Sequence, residues 1–151
     1  MTVRLSRRLL LGGAVALASA GPAFTQDRRM TAYKTPWCGC CDGWVTHMRG
    51  AGWTVEVIER DDLAPIRARY GVPDRYAGCH TAVVRAYAIE GHVPAADVAR
   101  LLLERPQAVA LAVPGMPAGS PGMESAGREP YVTLLIDRRG QATVFGRHNG
   151  T

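Results

Sequence analysis

Three of the four cysteines of this chain fall within Trp37-Cys38-Gly39-Cys40-Cys41, and the fourth stands beside a histidine at Cys79-His80. A C-x-C overlapping a C-x-x-C, joined by a distant Cys-His pair, is the composition of a soft-metal site or a thiol redox site. The spacing of Cys38 and Cys41 lets both sulfurs meet on one side of a turn, as a disulfide or as two ligands of one metal. A cysteine just ahead of a helix has its thiolate stabilised by free backbone N–H groups, which makes it a better nucleophile and a better ligand. Cys40 adds a third thiol that blurs a two-cysteine redox cycle. Soft sulfur donors select Cu(I) or zinc, and copper heads the divalent affinity order. The plainer alternative is a stabilising disulfide between Cys79 and one of the clustered cysteines; four cysteines allow three pairings, and sequence does not choose among them.

Further soft donors lie in Pro114-Gly115-Met116-Pro117-Ala118-Gly119-Ser120-Pro121-Gly122-Met123-Glu124. So much proline and glycine excludes a helical stripe. Met116 and Met123 are thus either thioether ligands, which resist disulfide formation in an oxidising compartment, or plugs that seat the loop on the core. The histidines outside the Cys-His pair are weaker candidates. His47 sits off the apolar face of its helix, His92 follows Gly91 where a histidine commonly bonds backbone, and His148 is in the tail, where disorder is usual. Lys34, Arg67 and Arg69 read as solvated. No Ser-His-Asp set or acid/base pair is apparent, so any enzymatic reading rests on thiols alone.

The elements that must position these residues follow from pattern. Thr31 to Lys34 reads as a strand ending at a turn, and Trp44, Val45 and Met48 mark one face of a helix over Asp42 to Arg49. Trp53 to Ile58 alternates as a second strand. Asp61-Asp62 caps a helix from Leu63 to Tyr70, closed by Gly71 and Pro73. Thr81 to Ile89 is one bent strand or a tight hairpin, and Ala95 to Glu104 is a helix started by Pro94 and stopped by Pro106. This order is that of a thioredoxin-like α/β three-layer fold. If so, Cys79-His80 opens the strand that faces the C-x-x-C turn, where thioredoxins carry a cis-proline. Val109 to Val113, the Gly/Pro/Met loop from Pro114 to Gly127 and a hairpin from Tyr131 to Phe145 form a C-terminal extension.

At the start of the chain, Ser6-Arg7-Arg8-Leu9-Leu10-Leu11 leads into an apolar stretch and Ala18-Ser19-Ala20, an A-x-A cleavage signal. Residues 1–25 are therefore expected to be an export signal peptide of twin-arginine type, too short for a membrane span, with 26–151 as one domain in the periplasm. Arg4, Arg7 and Arg8 leave with it, so much of the formal +5 charge belongs to the signal. The remaining charges form no aromatic-laced basic stripe, which argues against nucleic acid. No second segment of spanning length follows.

Four blocks in order carry a resemblance: Tyr33 to Cys41, Gly78-Cys79-His80-Thr81-Ala82, Glu90-Gly91-His92-Val93-Pro94, and Pro114 to Glu124. Together they resemble the domain of unknown function 411 family, exported bacterial proteins described as metal-binding and associated with copper handling, and the match runs from about Met30 to Phe145. The resemblance implies copper, whereas spacing and ligand softness by themselves imply only a soft metal or a redox pair. The expectation is a Cu(I) site built from Cys38, Cys41, Cys79 and His80, with Cys40 as an alternative thiol and Met116 and Met123 as lid or transfer ligands. Zinc is the competing ion, and a copper-donating or copper-accepting protein is the implied partner. The alternative is a thiol-disulfide oxidoreductase in which Cys38 attacks and Cys41 resolves. A third reading is a disulfide-stapled module that binds a partner protein.

Overall fold

The computed structural model describes residues 28–149; the expected signal peptide lies outside them. Among the described residues one seven-stranded sheet runs in the order β2-β1-β3-β4-β5-β6-β7. Its first part is β1 (Arg29–Lys34), α1 (Gly39–Gly50), β2 (Thr54–Glu59), α2 (Ala64–Tyr70), β3 (His80–Val84), β4 (Tyr87–Gly91) and α3 (Ala95–Glu104). Then come β5 (Ala110–Val113), β6 (Tyr131–Ile136) and β7 (Ala142–His148). The mixed α/β class and the element order agree with the sequence pattern, and Thr81 to Ile89 resolves as a hairpin turning at Arg85, which has φ 53°.

Strand directions place the chemistry. β1 and β2 are parallel, β3 is antiparallel to β1, β4 is antiparallel to β3, and β5 is parallel to β4. The C-terminal ends of β1, β4 and β5 therefore meet the N-terminal end of β3 at one end of the sheet. The cysteine motif, Cys79-His80, His92 and the methionine loop all leave the strands there.

Alternation along the strands sorts two packed faces. On one, Trp44, Val45 and Met48 of α1 and Val98, Leu101 and Leu102 of α3 pack on Ala82, Ile89, Leu111 and Val113. Each such fully buried large side chain contributes about 1.5–3 kcal/mol. On the other, Ala88, Ala110, Ala112 and Ile136 pack with Tyr70 and Tyr76. Among the described residues no helix is long and apolar enough to cross a membrane.

Three local readings change. Helix α1 starts at Gly39, three residues before the expected Asp42, with Cys38 at its N-cap; the apolar stripe is read from Trp44, and the first turn, in which only Cys41 is buried, adds no apolar pattern to it. Lys34 is buried, 5 % exposed, with its ammonium 3.2 Å from Asp42 and 3.7 Å from Glu59. His148 is ordered at the end of β7: Nε2 lies 2.9 Å from Asp97 Oδ2 and 3.0 Å from Thr133 Oγ1, and the ring stacks on Tyr131.

The methionine loop is docked by glycine. A Cβ on Gly122, whose φ is 90°, would lie 2.6 Å from Trp44 N and 2.7 Å from Cys40 O, and one on Gly43 would lie 2.9 Å from Gly122 Cα. Backbone meets backbone at this point, so no side chain fits between loop and helix. Gly122→Ala is expected to destabilise the fold by about 1–3 kcal/mol, as overpacking does. Urea unfolding measures this, and an unchanged midpoint would contradict the close approach.

Candidate metal centre

Cys38 and Cys41 are joined by a disulfide, with Cα atoms 5.5 Å apart, and Cys40 and Cys79 are free thiols. Cys79 is therefore not a staple to the cluster. The four cysteine sulfurs nevertheless lie within 4.8 Å of one another. Cys40 Sγ is 3.5 Å from Cys38 Sγ and 3.8 Å from Met116 Sδ, so its one proton is shared between two sulfur acceptors. Cys41 Sγ sits 3.5 Å from the Cys79 carbonyl oxygen. In the disulfide that sulfur has no hydrogen to donate, so the contact becomes a hydrogen bond only when the pair is reduced.

A second donor group shares Cys79: its sulfur and ring nitrogens of His80 and His92 also lie within 4.8 Å of one another. His92 Nδ1 is 2.7 Å from the Pro121 carbonyl oxygen, which only accepts, so Nδ1 carries the proton. That leaves the Nε2 lone pair aimed at Cys79 Sγ, 3.0 Å away, and the thiol donates to it. A histidine whose far nitrogen donates to a backbone carbonyl while the near one keeps its lone pair is the arrangement of a metal ligand. His80 is also buried, with Nδ1 3.5 Å from Cys79 Sγ, its ring against Trp44 and Nε2 without a partner.

Burial sets the protonation states. It presses His80 down to about 3, with His92 adding to the effect, and lowers His92 against the opposing pull of the Pro121 carbonyl. Both imidazoles are neutral at pH 7 and available as ligands. Burial, reinforced by the neighbouring Cys40, pushes the Cys79 thiol up to about 12. Burial also raises the Glu90 carboxyl to about 7, although the Gly78 N–H donates to it.

Met116 reaches the cluster from the loop, 43 % exposed and with φ 50°, an uncommon backbone for a side chain of its size. Met123 joins the loop through its backbone: its N–H donates to the Ser120 carbonyl, and its own carbonyl accepts from Gly119 and Ala126. No hydrogen bond ties its thioether to a cysteine. His47 accepts from the Ala95 N–H at 3.1 Å, a structural role at the start of α3. A groove of about 460 Å³ opens beside the cluster, with Trp37, Cys38, Leu63, Cys79 and Met116 among its lining and Trp37 73 % exposed.

The donors brought together are thus Cys38, Cys40, Cys41, Cys79, His80 and Met116, and the structure adds His92, a weaker candidate in the sequence, to the group around Cys79. Its Gly91-His92-Val93-Pro94 context was visible, and the backbone bond inferred there exists. That bond orients the ring toward Cys79 and so serves the site. In the metal-free protein with its disulfide intact, the thiolate is the nucleophile, so the rate of Cys79 alkylation is expected to climb about tenfold per pH unit from pH 7 to 11. Peptide mass mapping of iodoacetamide-treated protein reads this directly, and a plateau below pH 9 would contradict it.

A family model described as "Protein of unknown function, DUF411" matches residues 76–123, which span Cys79, His80, His92 and the methionine loop. Two solved structures are similar over the domain. "Copper resistance protein copG- Form 1" is 38% identical, with 82% of this chain and 99% of that chain covered and a TM-score of 0.77. "Copper resistance protein copG- Form 2" is 39% identical, with 80% and 97% covered and a TM-score of 0.74. A search of curated proteins finds no match. With relatives 38–39% identical over about four fifths of this chain and the family model spanning Cys79, His80 and His92, the chain belongs to the copper-associated DUF411 family.

Proposed function

We propose that this protein binds Cu(I) and buffers or delivers it in the periplasm after export by a twin-arginine signal. The observation that carries this reading is the approach of four cysteine sulfurs within 4.8 Å. Reduction of the Cys38–Cys41 pair turns that group into four thiols, which release their protons as metal binds. Met116 favours copper over zinc. Zinc is held by thiolate, imidazole and carboxylate ligands, whereas thioethers select Cu(I), and Met116 Sδ lies 3.8 Å from Cys40 Sγ. The likeness to structures named as copper resistance proteins points the same way. The order β-α-β-α-β-β-α supports a thioredoxin-like reading of residues 29–104, with the methionine loop and the β6–β7 hairpin as the extension that completes the site. Met123 is assigned the role of a transfer ligand beside Met116, and the exposed groove is suited to a copper-donating or copper-accepting protein.

The Cys38–Cys41 disulfide favours a second reading. Reduced Cys38 thiolate would attack a substrate disulfide and form a mixed disulfide, and Cys41 would then displace the substrate thiol. The substrate gains two electrons and the Cys38–Cys41 bond returns. Insulin reduction, with Cys38→Ser as control, separates this from metal carriage.

Native mass spectrometry of the reduced chain is expected to show bound copper after Cu(I) loading. Cys79→Ser is expected to weaken Cu(I) by more than about 100-fold, since loss of even an outer-shell partner commonly costs 10–100-fold. Retention of copper by Cys79→Ser at wild-type affinity would refute the shared site, and failure of the wild-type chain to hold any would refute the copper reading.

A further inference from the structure

Glu90 is the most deeply buried acidic residue of the described chain, 0 % exposed, and copper binding as proposed does not use it. It ends the pairing of β4 with β3, where Thr81 stands opposite, so its side chain projects to the face covered by α2 and away from Trp44. Glu90 Oε2 accepts a hydrogen bond of 2.9 Å from the Gly78 N–H. Gly78 lies two residues before β3 and so has no strand partner for that amide. Gly78 is half-buried, and its N–H is satisfied by a carboxylate. The other polar groups facing Glu90 are Thr81 from β3 and the Arg67 guanidinium from α2, the latter 3.6 Å from Asp74. Oε1, Thr81 Oγ1 and Arg67 Nε make no hydrogen bond.

The contact around Gly78 is tight. A Cβ there would lie 2.4 Å from Gly91 N, and one on Gly91, whose φ is 66°, would lie 2.6 Å from Val113 O. The Gly78 backbone is therefore pressed on the end of β4 and tied to it by one side chain. The next residue in the chain is Cys79, and two residues beyond Glu90 is His92, whose Nε2 meets the Cys79 sulfur at 3.0 Å.

We propose that Glu90 is a positioning residue for Cys79: by holding the Gly78 N–H it fixes the backbone from which the shared cysteine points between Cys41 and His92. The proposal rests on the copper reading for its consequence, and on Gly78 and Glu90 alone for its geometry. Removing the carboxyl leaves the Gly78 N–H and Arg67 without that partner, so the loss of Glu90 is felt at the backbone that carries Cys79.

The test compares Glu90→Met, Glu90→Asp and Glu90→Gln in the full chain. Readouts are hydrogen exchange at the Gly78 amide in metal-free protein, thermal unfolding, and Cu(I) affinity by competition with bathocuproine disulfonate. Glu90→Met is expected to fold with a lowered melting temperature, lose protection at Gly78 and bind Cu(I) about tenfold more weakly, the usual cost of removing a group that orients a ligand. Glu90→Asp keeps the charge but is one methylene short of Gly78 and should match it. Glu90→Gln keeps the acceptor and should match wild type in exchange and affinity. A folded Glu90→Met with wild-type affinity would overturn the proposal, as would Glu90→Gln weakened as far as Glu90→Met. If Glu90→Met does not fold, the Asp and Gln pair decides. Loss of copper binding by wild type as well would instead remove the copper reading, and the Gly78 exchange rates would still show whether the clamp exists.

Discussion

The pairing of β3 with β1, in which His80 stands opposite Lys34, is the constraint on which the site depends. It fixes Cys79, one residue earlier, at the level where β1 gives way to the cysteine motif. A strand slipped by one residue would turn every side chain to the other face, and His80 would leave Trp44 for the α2 side. The β3–β4 hairpin then carries the chain down and back, so that Gly91 and His92 return to the same end. The parallel β5 delivers the methionine loop there as well. Residues separated by up to 78 positions in sequence, Cys38 to Met116, meet because of strand direction and register, and not because of any local motif.

Around Cys79 the nitrogen and sulfur donors are kept neutral. Two imidazoles are kept neutral by burial, the thiol keeps its proton, and the donors of the loop are uncharged thioethers or backbone carbonyls. A cation that enters meets soft, polarisable atoms and displaces protons as it binds. The disulfide alters the number of donors, since Cys38 and Cys41 at the N-terminal end of α1 offer no thiol while bonded. Oxidised, the chain keeps Cys40, Cys79, Met116 and the two histidines as candidate ligands; reduced, it gains two more sulfurs.

Much of this was readable from the residue pattern. Alternation and helical stripes gave the elements in the right order because the core is sorted by face, and the soft donors stood out because cysteine is scarce in the chain. Other features depended on packing that periodicity does not encode. The first turn of α1 is polar and exposed apart from Cys41, so the stripe starting at Trp44 placed the helix too late. Lys34 looked solvated, yet it is buried because Asp42 and Glu59, far apart in sequence, converge on it. His92 looked like a backbone-bonding residue and is one; that its other nitrogen faces Cys79 appears only when Pro121, 29 residues away, is seen to take Nδ1. His148 was assigned to a loose tail because the tie to Asp97 spans 51 positions. Glu90 has no signal in sequence beyond its place in the Glu90-Gly91-His92 block.

The most direct measurement is X-ray absorption at the copper edge on the reduced chain loaded with Cu(I), alongside the Cys79→Ser and Met116→Leu variants. The account predicts a first shell dominated by sulfur that loses part of its sulfur signal in Cys79→Ser and a smaller part in Met116→Leu. A shell of nitrogen and oxygen only, or a sulfur shell untouched by Cys79→Ser, would contradict it.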